Sequence, residues 1–441
     1  MSLDPTPRRA TGRTLIDGIV AGLAGIPPGC LWPGFDPASM PLAVAVVAAP
    51  ATWLINRDHV DGYDQAETVS GQPPLLRRSG LDQRLVGNSV VDIGGRLTAT
   101  IFVDAGTPLP DIVALAAHEL FHVFQADRYP GWGASEAALL TYPWDDAVNL
   151  ARATNELALL DRAMAADEGD ACRDLAAMAL AARRERFQRL PADAQAYENG
   201  IELAEGTARF VEVRAAQTLG WPLPALETGG GVDVRRRGYQ AGAGWCALLA
   251  RLAGPDWPSS LPDGSDAPMP VFTDMLAVVV GQPADPPVDD VGWQEHLNDA
   301  ITAVATEADR RTERMAAVRA VATLTVVVRS QPGSPLRVAG FDPMNLIPLA
   351  DGMVLHERYL VLTMGETRIT VLGQPSLTAS GGDHPLFSGL DRAEILLTLS
   401  PADEVMWDVG SMATLGIRID GPCSIQQVRP DRIAVEPGDR P

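Results

Sequence analysis

Lysine is absent from this chain of 441 residues; all 35 basic side chains are arginine. That absence excludes Schiff-base catalysis, anchoring of pyridoxal phosphate and the phosphate loop G-x-x-x-x-G-K-[ST], all of which need a side-chain amine. Positive charge is scarce as well. Against 35 arginines stand 56 acidic residues, giving a net charge of −21. A protein this acidic is a poor match for nucleic acid, whose binding draws on cations set against phosphates. Cysteine is limited to Cys30, Cys172, Cys246 and Cys423, widely spaced and without a C-x-x-C pair. That is neither a disulfide framework nor a thiolate zinc site; reduced cysteines in a cytosolic protein fit best, with one or two bridges left open. No apolar run reaches the roughly 18 residues of a membrane span. Arginines precede an apolar stretch near the amino terminus, but Asp17 interrupts it and no small-x-small cleavage site follows. An amphipathic first helix is expected there instead of a leader. The expectation is a soluble, cytoplasmic protein whose partners include neither nucleic acid nor membrane.

What is present is ordinary for a globular chain: 46% hydrophobic and 21% charged residues, with length enough for two or three domains. Texture divides the sequence. After an N-terminal segment (1–30), residues 31–105 read as strand-rich, with PLAVAVVAA, ATWLINRD and a hairpin turning at Gly94-Gly95. Residues 106–321 turn helical and alanine-rich, beginning at a helix that Pro108, Pro110 and Asp111 favour. From 322 to 441, LTVVVRS, RYLVLTMG, TRITVLG, EILLTLS and LGIRID are short β-prone runs, as in a small sandwich or barrel. The fold class expected is α+β with a β-rich C-terminal accessory domain. The stretch 227–238 is the expected mobile loop.

The informative string is His118-Glu119-Leu120-Phe121-His122 inside the helix DIVALAAHELFHVFQAD. Residues four apart on a helix share a face, so both imidazoles can reach one metal ion, and Glu119 projects beside that face to hold a metal-bound water. Two core histidines packed beside Leu120 and Phe121 are the competing reading. A zinc site needs a third protein ligand. Candidates are Glu198, Glu202, Glu205 and Glu212, spaced 4, 3 and 7 on what reads as one long helix, hence on one face. A solvated acidic stripe is the alternative, although Ala204, Gly206 and Ala208 would let another helix pack closely beside Glu205.

H-E-x-x-H followed by Leu203-Ala204-Glu205-Gly206-Thr207-Ala208-Arg209-Phe210-Val211-Glu212 resembles the gluzincin zinc metallopeptidases, especially the aminopeptidase N branch. The resemblance covers about residues 85–255. It implies a gluzincin-like metalloprotease domain, one zinc ion held by His118, His122 and Glu205, and Glu119 as general base. It also implies that Tyr239, in Tyr239-Gln240-Ala241-Gly242 at the opening of an apolar helix, hydrogen-bonds the developing oxyanion. The chain departs from that branch in two ways. Eighty-two residues separate His122 from Glu205, which suggests an inserted helical pair at about 146–190, and the segment that grips a substrate's free amino terminus has no counterpart.

The function expected is therefore zinc-dependent hydrolysis of peptide bonds in a peptide or protein substrate, of an endopeptidase or specialised processing kind. The alternatives are a non-catalytic binding relative and a zinc hydrolase of a non-peptide amide. Several weaker expectations accompany this. Glu202 and Glu198 would support the histidine rings, with Arg209 as counter-charge. The strand 96–105 would form a sheet edge on which a peptide could lie. Arg235, Arg236 and Arg237 would clamp a substrate carboxylate or phosphate, or form a solvated loop. Trp132, Tyr142 and Trp144 would wall a groove or simply pack; Asp383, His384 and Ser388 are too local in sequence to define a triad.

Overall fold

The structure is a computed structural model that describes residues 12–68, 73–85, 87–104, 106–222, 232–264, 267–281, 292–342, 345–399, 411–414 and 416–437. The expected mobile loop lies outside the described residues over 227–231. Helices and sheets are both present and largely segregated along the chain, an α+β arrangement. Two compact units are formed, one from residues 1–134 and 148–296, the other from 135–147 and 297–441. Among the described residues no helix is long and apolar enough to cross a membrane. All four cysteines are free.

The first unit opens with α1 (Gly12–Ala24) and a sheet of β1 (Leu42–Val46), β2 (Ala51–Ile55), β3 (Asp64–Gln65), β4 (Leu75–Ser79), β5 (Ser89–Asp92) and β6 (Leu97–Val103). Strand order is β3-β4-β2-β1-β6-β5, antiparallel except for the parallel pair β1–β6. β1 is buried on both faces, which explains its unbroken apolar run. Leu42 and Val44 face the helices, while Ala43 and Ala45 join a smaller core with Leu54, Leu76 and Ile93. The β5–β6 hairpin turns at Gly94 and Gly95, both at positive φ (60° and 76°), where a Cβ would be strained. The expected sheet edge at 96–105 is corrected by this topology: β5 covers β6, so the edge belongs to the four-residue β5. Asn88 Oδ1 also takes the Phe102 N–H at 2.9 Å, just beyond it.

Helices α2 (Leu109–Arg128), α3 (Ala147–Ala165), α4 (Gly169–Phe187), α5 (Ala192–Ile201), α6 (Thr207–Thr218), α7 (Val234–Leu252) and α8 (Phe272–Val280) complete the unit. α3 and α4 are two helices over the span 146–190, where a helical pair was expected. α5 and α6 are joined by one π-helical turn, Glu202–Gly206, so the expected single long helix contains a change of register. α2 lies between the sheet and α6, buried along Ile112, Val113, Ala116, Ala117, Leu120 and Phe121.

α9 (Trp293–Val321) precedes a β-sandwich. Its strands are β7 (Leu324–Arg329), β8 (Leu336–Phe341), β9 (Leu346–Pro348), β10 (Met353–His356), β11 (Tyr359–Met364), β12 (Thr367–Leu372), β13 (Ser376–Ala379), β14 (Arg392–Leu397), β15 (Ser411–Thr414), β16 (Ile417–Asp420), β17 (Cys423–Arg429) and β18 (Arg432–Pro437). They form sheets in the orders β17-β18-β7-β14-β13-β10-β9 and β15-β16-β12-β11-β8. Val326, Ile395 and Val435 of the larger sheet meet Leu360, Ile369 and Ile419 of the smaller in one dry core. α9 covers the larger sheet's other face, where Val318 packs on Leu355, Leu377 and Leu396.

Candidate metal centre

α2 carries His118 and His122 one turn apart on its α6-facing side, with ring centroids 4.8 Å apart. Their Nε2 atoms are 3.1 Å from each other, and Glu205 Oε2 lies 3.2 Å from His122 Nε2 and 3.5 Å from His118 Nε2. The three side chains form a group that can hold a metal ion.

The partners on the other side of each ring fix the proton positions. Gln125 donates from Nε2 to Leu203 O, Ala204 O and Thr207 Oγ1 (3.2, 2.9 and 2.7 Å), so its Oε1 must be the atom that accepts from His122 Nδ1 at 2.7 Å. His118 Nδ1 donates to Glu212 Oε2 at 3.2 Å, and Arg209 Nη1 holds the other oxygen of Glu212 at 2.6 Å. With both Nδ1 atoms donating outward, the two Nε2 atoms are turned toward each other. Glu205 Oε2, buried and without a hydrogen-bond partner, faces the same point. Three acceptors crowded together need a cation or protons between them. In a tetrahedral site with bonds of about 2.0–2.2 Å, neighbouring donor atoms sit roughly 3.3–3.6 Å apart, close to the spacing found here.

Electrostatics agree with that balance. Burial alone would push the His118 imidazole down, but Glu205 and Glu212 overcome it and raise the group to about 9. Glu205 is desolvated, which favours its neutral form, yet the two histidines hold its carboxyl well below the usual range. Burial pushes the Glu119 carboxyl up, and Glu205 and Glu212 add to this against the attraction of His118 and His122. The Tyr239 ring stacks on His118 with centroids 5.9 Å apart at 11°; burial and the Glu205 carboxylate push its phenol far up. Glu119, Tyr239, Asn88, Arg235 and Arg236 line a cavity of about 450 Å³ at His118.

The π-turn is the reason these groups meet. On an unbroken helix Glu198, Glu202, Glu205 and Glu212 would share one face, but the wider turn inserts a residue, and one residue is about 100° of rotation. Glu205 and Glu212 therefore face α2, whereas Glu198 and Glu202 face α4. This corrects the expectation that Glu198 and Glu202 support the histidine rings. Arg186 grips Glu198 through Nη1 and Nη2 (2.7 and 2.6 Å), and Arg183 Nη2 meets Glu202 at 2.6 Å. Glu156 of α3 bridges both arginines at 2.7 and 2.9 Å. Burial would raise Glu198, but Arg186 and Arg183 bring it down to about 2. Glu202 goes up to about 7, because burial and the nearby Glu156 and Glu198 outweigh Arg183.

Close packing sets the last ligand. A Cβ on Gly206 would come within 2.5 Å of Gly242 Cα, so the chain after Glu205 and α7 touch backbone to backbone, as the small residues around Glu205 suggested. α7 opens at Val234, capped by Asp233, which places Tyr239 in its second turn and not at its start. The three arginines separate: Arg235 Nη2 donates to Glu205 Oε1 at 2.7 Å, Arg236 lines the cavity and Arg237 is buried. Trp132 stacks on Tyr129 at 4.1 Å, and Arg311 lies 3.6 Å over Trp144, so each packs within its own unit. His384 Nδ1 accepts the Leu386 and Phe387 N–H groups, and Ser388 Oγ accepts from the His384 main chain. That group pins a loop.

Gln125 and the pairing of Arg235 with Glu205 went unrecognised in the sequence. A signal for Gln125 existed: a polar residue three after His122 and seven after His118, on the buried face of a helix. Compared with family models, curated proteins and solved structures, the chain matches none.

Proposed function

We propose that this chain is a zinc-dependent hydrolase of peptide or related amide bonds, similar in its site to the gluzincin metallopeptidases. The observation that carries this reading is the convergence of two imidazole Nε2 atoms and a buried carboxylate oxygen beside Glu119 and Tyr239. Zinc, when bound by His118, His122 and Glu205, supplies Lewis acidity toward a carbonyl oxygen and lowers the pKa of water toward neutrality. Glu119 takes a proton from the attacking water and passes it to the leaving amine; its raised pKa suits a group that must both accept and release. Tyr239, held protonated by its surroundings, donates a hydrogen bond to the carbonyl oxygen as charge builds there. Arg235 occupies Glu205 Oε1 and leaves Oε2 for the cation. Glu212 and Gln125 keep both rings in the tautomer that presents Nε2.

The test is metal analysis of the purified chain combined with cleavage of a mixed peptide library by the wild type and Glu119→Gln. One zinc per chain is expected in both proteins, with turnover lowered roughly 10²–10⁴-fold in the variant. A chain that takes up no zinc, or a Glu119→Gln protein that cleaves normally, refutes the proposal. Zinc binding with no cleavage of any peptide, but with turnover of small acyl amides, would move the substrate from peptides to non-peptide amides.

A further inference from the structure

The Gly206–Gly242 contact has a structural consequence on its carboxyl-terminal side. From there α6 and α7 run in the same direction, with α3 alongside them. A second cavity of about 370 Å³ results, beside the metal centre. Its walls are mainly apolar: Phe210 and Val213 from α6, Ala243, Ala247 and Leu248 from α7, and Met164 from α3. The small side chains of Ala243 and Ala247 keep it open. Phe210 to Gln217 spans about 10 Å along α6, the extended length of a chain of roughly eight carbons.

Arginine outnumbers carboxylate in the lining, although Arg209 is paired with Glu212. In a protein of net charge −21, this cavity's lining holds three arginines, Arg209, Arg214 and Arg251, against the single carboxylate Asp161. Arg214 lies over the Phe210 ring at 5.5 Å, while Arg251 donates to the Met164 and Ala166 carbonyls at the end of α3. Arg209 and Gln240 line this cavity and the metal-centre cavity alike. Arg209 is also the partner of Glu212, which holds His118.

We propose that this second cavity binds a small carboxylic acid with an apolar body of about eight carbons. The chain lies along Phe210, Val213, Ala247 and Leu248, and the carboxylate meets the guanidinium groups of Arg214 and Arg251 at the rim. An apolar body draws its affinity from leaving water, and the arginines select the anionic head over a neutral or cationic one. The site is distinct from the proposed hydrolytic one and does not require it to be correct.

The experiment is calorimetric titration of chelator-treated full-length protein with octanoate, octan-1-ol and octylamine, so that neither zinc nor turnover enters. Octanoate is expected to saturate at one per chain and to bind at least ten-fold more tightly than the alcohol or the amine. Ala247→Phe, which fills the cavity, is expected to weaken octanoate at least ten-fold. Arg214→Gln should bring octanoate down to the level of octan-1-ol. Octylamine binding as tightly as octanoate, no saturation by octanoate below about 1 mM, or full binding by folded Ala247→Phe overturns the proposal. Should Ala247→Phe fail to fold, the comparison of head groups on the wild type and the Arg214→Gln titration still decide.

Discussion

Replacing Gln125 by leucine removes a side chain that touches both the His122 ring and the π-turn bearing Glu205. Its amide is buried, and two groups lose their principal partner: His122 Nδ1, bonded at 2.7 Å, and Ala204 O, at 2.9 Å. Leu203 O is less affected, since Thr207 Oγ1 also donates to it at 2.5 Å. A buried polar group left without a partner costs about 1–3 kcal/mol, so two such groups lower stability by roughly 2–6 kcal/mol. The metal centre suffers separately, because His122 can rotate and exchange tautomers. Loss of such a supporting hydrogen bond typically weakens metal binding by about 10–100-fold. Chelator competition would measure that affinity and urea unfolding the stability. Gln125→Glu separates the two effects, keeping an acceptor for His122 while losing the donors to the π-turn; it should keep more of the zinc affinity than Gln125→Leu at similar stability. A Gln125→Leu protein with wild-type zinc affinity would refute the role assigned to this residue.

Gly242→Ala places a methyl within 2.6 Å of Glu202 O and 2.7 Å of Gly206 Cα, main-chain atoms that cannot swing aside. It is expected to destabilise by about 1–3 kcal/mol and to weaken zinc binding by moving Glu205, whereas Gly131→Ala, which meets open space, should change neither. Arg183→Met strips a buried partner from Glu156 and Glu202 and should cost about 3–5 kcal/mol in urea unfolding; Arg319→Met, which breaks an exposed pair with Glu394, should cost less than about 1 kcal/mol. His356 is buried in the sandwich, and desolvation lowers its pKa to about 3. The unfolded imidazole therefore takes its proton first. Its contribution is complete above about pH 6.5 and falls by about 1.4 kcal/mol per pH unit toward pH 3. Subtracting the pH–stability curve of His356→Gln from that of the wild type should isolate this slope, and parallel curves would contradict it.

Local chemistry was legible in the chain itself. The spacing of His118 and His122 in an apolar helix put two imidazoles on one face, because 3.6 residues make a turn whatever surrounds it. Gly94-Gly95 set a hairpin because only such residues accept two successive positive φ angles cheaply. α3, α4, α7 and the principal strands of the sandwich announced themselves through periodicity and turn residues. Tertiary structure decided which charges meet. Four glutamates spaced 4, 3 and 7 read as one stripe, yet the π-turn sends two toward the histidines and two toward Arg183 and Arg186. Gln125 becomes a partner of both helices only once they pack. Backbone periodicity is a property of a dozen neighbouring residues, whereas register, pairing and burial depend on surfaces brought together from positions as distant as His118 and Glu212. That is why the first could be read along the chain and the second only across it.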